Sequence, residues 1–210
     1  MEVDELIETN YNLSRFIEEL IPKIELEDDK NRDMILSGFF NNARIHFYSM
    51  NLLIEKKLYN SAFALVRVFF ENIIKARYVN MFFDDAKIKT MYSKDNWDNI
   101  FKDSGTKIEL GKMCEEIDCI LEDNFHTTIK NNAYKKMNDF THTGAYQIAS
   151  NFNVTDGIIE PNFDEELIKD VLKSNFELMK TFSLFTLEIL ELKNGFIVQD
   201  EMDKLLSKTI

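Results

Sequence analysis

Apolar residues recur at three- and four-residue steps along most of this chain, the spacing of one face of a helix. Val3, Leu6, Ile7, Leu13, Phe16, Ile17, Leu20 and Ile21 predict a first helix over Val3–Ile21, ended by Pro22. The acidic run IELEDDKNRD that follows reads as a solvated connection. Ile35, Leu36, Phe39, Phe40, Ala43, Phe47, Met50, Leu53 and Ile54 form the stripe of a second helix over about Arg32–Leu58. Asn60-Ser61 reads as a capped turn opening a third helix that runs to about Phe83. That third segment is apolar almost all round, the pattern of a central, buried helix.

From Asp84 to Gly105 the periodicity weakens to a short helix followed by SKDNWDN and KDSG turns. A fourth main helix is expected over Thr106–Asn124, with Ile108, Met113, Ile117, Ile120 and Leu121 facing inward. Another is expected over Thr127–Thr141, carrying Ile129, Ala133, Met137 and Phe140. Asn151–Asn162 is the one long loop, and long loops in compact domains are often functional. Asp164-Glu165-Glu166 opens a long last helix to Lys193, stopped by Asn194-Gly195, with a short tail helix over about 200–208. The expected fold is all-α: one domain over residues 1–210, an antiparallel bundle of four or five long helices with short additional ones.

Composition sharpens this picture. Six glycines and two prolines in 210 residues cannot supply the turns of a sandwich, barrel or α/β fold. The chain carries 37 acidic and 25 basic residues, a net charge of −12, so unspecific grip on nucleic acid is disfavoured and any such role needs a local site. No apolar stretch reaches the ~18 residues of a membrane span, and the acidic start MEVDELIE is unlike a signal peptide. A cytoplasmic protein with no membrane partner is expected. Cys114 and Cys119 make no disulfide framework, and as residues five apart on a helix they point to different faces. The three histidines are too scattered for a zinc site, and no phosphate-cradling glycine loop is present, so no cofactor is expected.

Candidate chemistry concentrates at two places. On the central helix, Arg67 and Glu71 stand four apart, with Lys75 and Tyr78 continuing their stripe. A guanidinium and a carboxylate among apolar neighbours form either a structural ion pair or a polar pocket in which Arg67 forks onto a phosphate or carboxylate. The second place is Asn138-Asp139-Phe140-Thr141-His142-Thr143-Gly144, where a helix is expected to end. His142 shares a face with Asn138 and suits either acid–base work near neutrality or a helix C-terminal cap. His46, close to the second helix's stripe, reads as a core or boundary histidine, and His126 as a residue of a helix start.

These two elements together carry a resemblance. ALVRVFFENIIKARYV, residues 64–79, resembles an R-x-x-[FL]-E-x-x-[IV]-[KR]-A signature of uncharacterised bacterial helical proteins, followed 60–70 residues on by [FY]-[TS]-H-x-G, here Phe140–Gly144. The pairing is similar to domain-of-unknown-function proteins distantly related to the HEPN superfamily. The resemblance implies a bundle, often a homodimer, and, in many members, a metal-independent endoribonuclease of toxin–antitoxin or phage-defence systems using an R-x(4–6)-H motif. None of the five arginines stands at that spacing before a histidine; the nearest imitation is Lys136 before His142. Lysine lacks the planar fork of arginine, so Arg67 replaces it only if folding brings it beside His142.

Two functions follow. In the first, RNA is the partner, His142 is the acid/base, Arg67 or Lys136 stabilises the phosphorane charge, and Asn138 orients the histidine or substrate. In the second, a non-catalytic module binds a nucleotide, a small ligand or a partner protein through Arg67, Glu71 and His142, with Lys75, Tyr78, Thr141 and Thr143 around them. A metal-dependent bundle enzyme is disfavoured because no Glu-x-x-His is present, although Asp123 and Asp139 stand three before His126 and His142.

Overall fold

The central helix is α3, Tyr59–Phe82, whose Val66, Phe69, Phe70, Ile73, Ile74 and Val79 are all buried. The computed structural model describes residues 1–20, 31–93, 101–103, 105–142, 144, 147–148 and 163–194. Around α3 stand α1 (Val3–Leu20), α2 (Asn31–Glu55), α4 (Asp85–Ser93), α5 (Leu110–Leu121), α6 (Phe125–Thr141) and α7 (Glu165–Asn194). The fold is all-α, with one small hairpin, β1 (Lys102–Asp103) and β2 (Thr106–Lys107). The expected loop over 151–162 and the tail helix lie outside the described residues.

Packing follows the apolar stripes. α2 lies between α1, α3 and α7, while α3 also contacts α5 and α6. The main core joins Leu13 and Ile17 of α1, Phe47 and Met50 of α2, Phe69 and Phe70 of α3, and Phe182 of α7. A second cluster brings Leu6 and Ile7 of α1 against Ile54, Phe63, Phe140 and Leu172. Arg32, at the start of α2, donates to the carbonyls of Val79, Asn80 and Phe83, at 3.3, 3.2 and 2.7 Å. A cation there satisfies the last carbonyls of α3 and complements its dipole.

Several boundaries differ from the sequence reading. Ser61 lies inside α3 rather than capping it: the helix opens after Leu58, which makes no side-chain cap. The turn is made instead by Lys57 at φ 58°, with Leu58 N–H bonded back to the Leu53 carbonyl at 2.8 Å. Residues 106–107, expected at the start of a helix, form the second arm of the hairpin, turned at Gly105 with φ 84°, a conformation open to glycine. α5 therefore begins at Leu110, and its buried face is Met113, Cys114, Ile117 and Asp118. Ile120 and Leu121 face outward, not inward as expected. Phe82, near the end of α3, is exposed and stacks on Tyr78, ring centroids 4.6 Å apart.

Candidate functional site

The end of α6 is fastened to α3 by Phe140 and Thr141 of the FTHTG element and turned by its Gly144. Phe140 packs edge-on against Phe63 of α3 at 5.0 Å. The Thr141 hydroxyl donates to the Met137 carbonyl at 3.0 Å and lies 3.4 Å from the Ala64 carbonyl, one turn before Arg67. Gly144 N–H bonds to the Asp139 carbonyl at 2.6 Å, and a Cβ at Gly144 would lie 2.8 Å from the Asp139 backbone. Only glycine fits there, which explains its place two residues after the histidine.

His142 is thereby presented, exposed, at the helix end, with its own N–H bonded to the Asn138 carbonyl at 3.0 Å. Arg67 Nη1 lies 2.6 Å from His142 Nε2. Arginine can only donate, so Nε2 accepts and a neutral ring carries its proton on Nδ1. Arg67 Nε donates to Glu71 Oε1 at 2.8 Å, and Lys75 Nζ stands 3.6 Å from the other Glu71 oxygen. Glu71 thus fixes the guanidinium plane from one side while His142 meets it from the other. The stripe continues into a cleft of about 200 Å³, whose far wall is Phe101, Lys107, Ile108, Glu109, Leu110 and Met113.

The remaining candidates are placed as follows. Tyr78 is buried and donates to Glu116 of α5 at 2.6 Å, so it ties α3 to α5 and is not among the residues lining the cleft. Asn138 meets His142 through its backbone carbonyl, while its Oδ1 is buried without a hydrogen-bond partner among the described residues. Lys136 lies on α6, but its side chain, like Thr143, lies outside the described residues. His46 is half-buried, and burial lowers its pKa.

Sequence reasoning missed a second polar network in the core. Asp118 of α5 accepts from His126 Nδ1 at 2.6 Å and from the backbone N–H groups of His126 and Thr127 at 3.1 and 2.7 Å, capping the start of α6. His126 Nε2 in turn accepts from Arg77 Nη1 of α3 at 3.0 Å. Arg77 also lies over the Phe185 ring of α7, 5.0 Å away. Burial, reinforced by the Arg77 charge, lowers the His126 pKa, so the ring stays neutral and accepts from the guanidinium. Burial works to raise the Asp118 carboxyl, but the bonds from Thr127 and His126 outweigh it and hold the carboxyl below its usual range. Asp118, Asp123 and His126 bring ligand-type atoms within 4.8 Å of one another. The set does not suit a cation, because both ring nitrogens are engaged and a guanidinium stands at one of them. The signal available in the sequence was an aspartate on the apolar face of α5, which calls for a buried partner. Cys114 on the same face is an inert thiol, pushed up to about 12 by burial.

No helix among the described residues is long and apolar enough to cross a membrane. Comparison with curated proteins and with solved structures gives no match. Residues 41–201, which include α3, the cleft and the FTHTG element, match the model of DUF6988, a family of unknown function, and the chain belongs to that family.

Proposed function

We propose that this protein is a HEPN-like, RNA-directed effector that cleaves the phosphodiester backbone without a metal, in a toxin or phage-defence role. The observation that supports it is the 2.6 Å contact between Arg67 and an exposed His142 beside a cleft. In the reaction, His142 Nε2 takes the proton of a ribose 2′-hydroxyl as the 2′-oxygen forms its bond to phosphorus. The bond from phosphorus to the 5′-oxygen breaks, and that oxygen leaves with a proton from a second acid, leaving a 2′,3′-cyclic phosphate and a 5′-hydroxyl. Pairing of two copies supplies that acid as the second His142. Arg67, rather than Lys136, carries the phosphate-stabilising role, since its fork meets two equatorial oxygens and it touches His142. To reach the phosphate it exchanges its bond to Nε2, freeing the base as substrate arrives.

The test is cleavage of an end-labelled single-stranded RNA by the purified full chain in the presence of a chelator. Wild type is expected to give cyclic-phosphate ends, with His142→Ala slower by about 10²–10⁴-fold and Arg67→Lys by about 10²-fold. An intact RNA with wild type, or equal cleavage by His142→Ala, would sink the proposal. One observation favours a second reading, a non-catalytic module for a nucleotide, small ligand or partner protein: the Nε2 lone pair is already taken by Arg67. Binding without cleavage in the same experiment identifies it.

A further inference from the structure

The protein is acidic overall, yet three cations line the cleft beside His142. Arg67, Lys75 and Lys107 line it directly. Lys102 stands directly opposite Lys107 across the hairpin, on the same face, a pairing of like charges that costs stability. The Lys130 ammonium lies 3.2 Å from where a Cβ on Gly111 would sit, against the first turn of α5. A cation at that end opposes the helix dipole, so this placement too is unfavourable by itself. Arg67, Lys75 and Lys107 thus share the cleft with the Glu71 and Glu109 carboxylates, with Lys102 beside Lys107 on the hairpin and Lys130 at the first turn of α5. Glu71 is spent holding Arg67 and Lys75 in position. Phe101, Ile108, Leu110 and Met113 supply an apolar lining that strengthens attraction to a charged group.

We propose that this cleft is a phosphate-binding subsite, in which Lys75 and Lys107 hold a phosphate group adjacent to the one that meets Arg67 and His142. The inference rests on the ribonuclease reading for its neighbour at His142, but the cleft's own charge carries the anion binding. A tetrahedral anion suits ammonium groups arriving from opposite walls, α3 on one side and the hairpin on the other. That phosphate belongs either to the next residue of an RNA strand or to a free nucleotide, since both present the same group.

The experiment measures binding of a fluorescent single-stranded oligoribonucleotide to the His142→Ala protein by anisotropy across a salt series, with adenosine monophosphate as competitor. Adding Lys75→Gln and Lys107→Gln is expected to weaken binding about tenfold at low salt and to flatten the log–log salt slope by about 1. Lys107→Ala alone, exposed on the hairpin, gives a smaller loss in the same direction and guards against misfolding of the double substitution. Competition by the mononucleotide assigns the subsite to a free nucleotide; its failure assigns it to the strand. No binding by the intact cleft, or unchanged affinity and slope in the lysine variants, would overturn the proposal. Binding that depends on the lysines while wild type cleaves nothing removes the catalytic reading and leaves the subsite standing. Cleavage at unchanged KM by the same lysine variants made with His142 intact does the reverse.

Discussion

Replacing Asp118 by alanine takes away the acceptor for three N–H groups at once: His126 N, His126 Nδ1 and Thr127 N. The His126 ring is 1% exposed, so its Nδ1–H finds no water and the full penalty of an unsatisfied buried donor applies, about 1–3 kcal/mol. The two backbone donors form the cap of α6, whose loss costs about 1 kcal/mol. Arg77 is 5% exposed, and burial pushes its pKa down to about 10, against the Asp123 and Asp118 charges that hold it up. Losing the nearby carboxylate leaves that guanidinium less compensated. These terms overlap, and the expected total is about 3–5 kcal/mol, a large share of the stability of an ordinary domain. Urea unfolding followed by far-ultraviolet circular dichroism measures it, with exposed Glu115→Ala on the same helix as a control expected within about 0.5 kcal/mol of wild type. A loss under about 1.5 kcal/mol for Asp118→Ala, with an unchanged denaturant slope, would refute the account of this network.

Stability is expected to fall as the pH drops below 6.5, the ordinary value for His126, because the ring is neutral in the fold and takes up a proton on unfolding; Asp118 adds the same trend below 3.8. His126→Asn flattens the first of these slopes relative to wild type, and equal slopes between pH 7.5 and 5.5 (about two units spanning that value) would contradict it. Glu122 and Lys57 sit at φ 54° and 58°, so either one changed to glycine is expected to gain about 0.5–1 kcal/mol in the same urea assay, and a loss would show that the side chain matters more than the backbone. Gly144→Ala must displace the Asp139 backbone, costing about 1–3 kcal/mol and moving His142 off Arg67; unchanged stability together with unchanged RNA cleavage would refute that.

The long helices were legible because each buries one face, and period 3.6 shows directly in residues such as Leu13, Ile17, Phe47 and Met50. The hairpin was not, since two-residue arms of Lys, Asp, Thr and Lys carry no alternation; only its Ser-Gly turn was visible. Missing it displaced the start of α5 by four residues, while Ile120 and Leu121 continue the step of Met113 and Ile117 but lie in the last turn, past the buried Asp118. At the site, Arg67 and Glu71 could be paired from their spacing, and His142 could be placed at a helix end. Their meeting depends on the tertiary crossing of α6 over α3 through Phe63, Phe140 and Thr141, contacts 75–77 residues apart that no local pattern encodes. The Asp118–His126–Arg77 network was hidden for the same reason: Asp118 on the apolar face of α5 called for a buried partner, but no local pattern names His126 or Arg77 as that partner.

The stretch matched by the family model begins at residue 41, within α2, yet Leu13, Ile17 and Leu20 of α1 are wholly enclosed, and Leu6 and Ile7 back the cluster that seats Phe140. The shared sequence is thus not a unit that can be excised. Expression of residues 41–201 alone would strip α1 and Arg32 away, bare the flanks of α2 and α7 to solvent, and unseat the support behind the helix end that carries His142. A fragment cut at that border is a recipe for aggregation, and dissection of this protein has to retain its first helix.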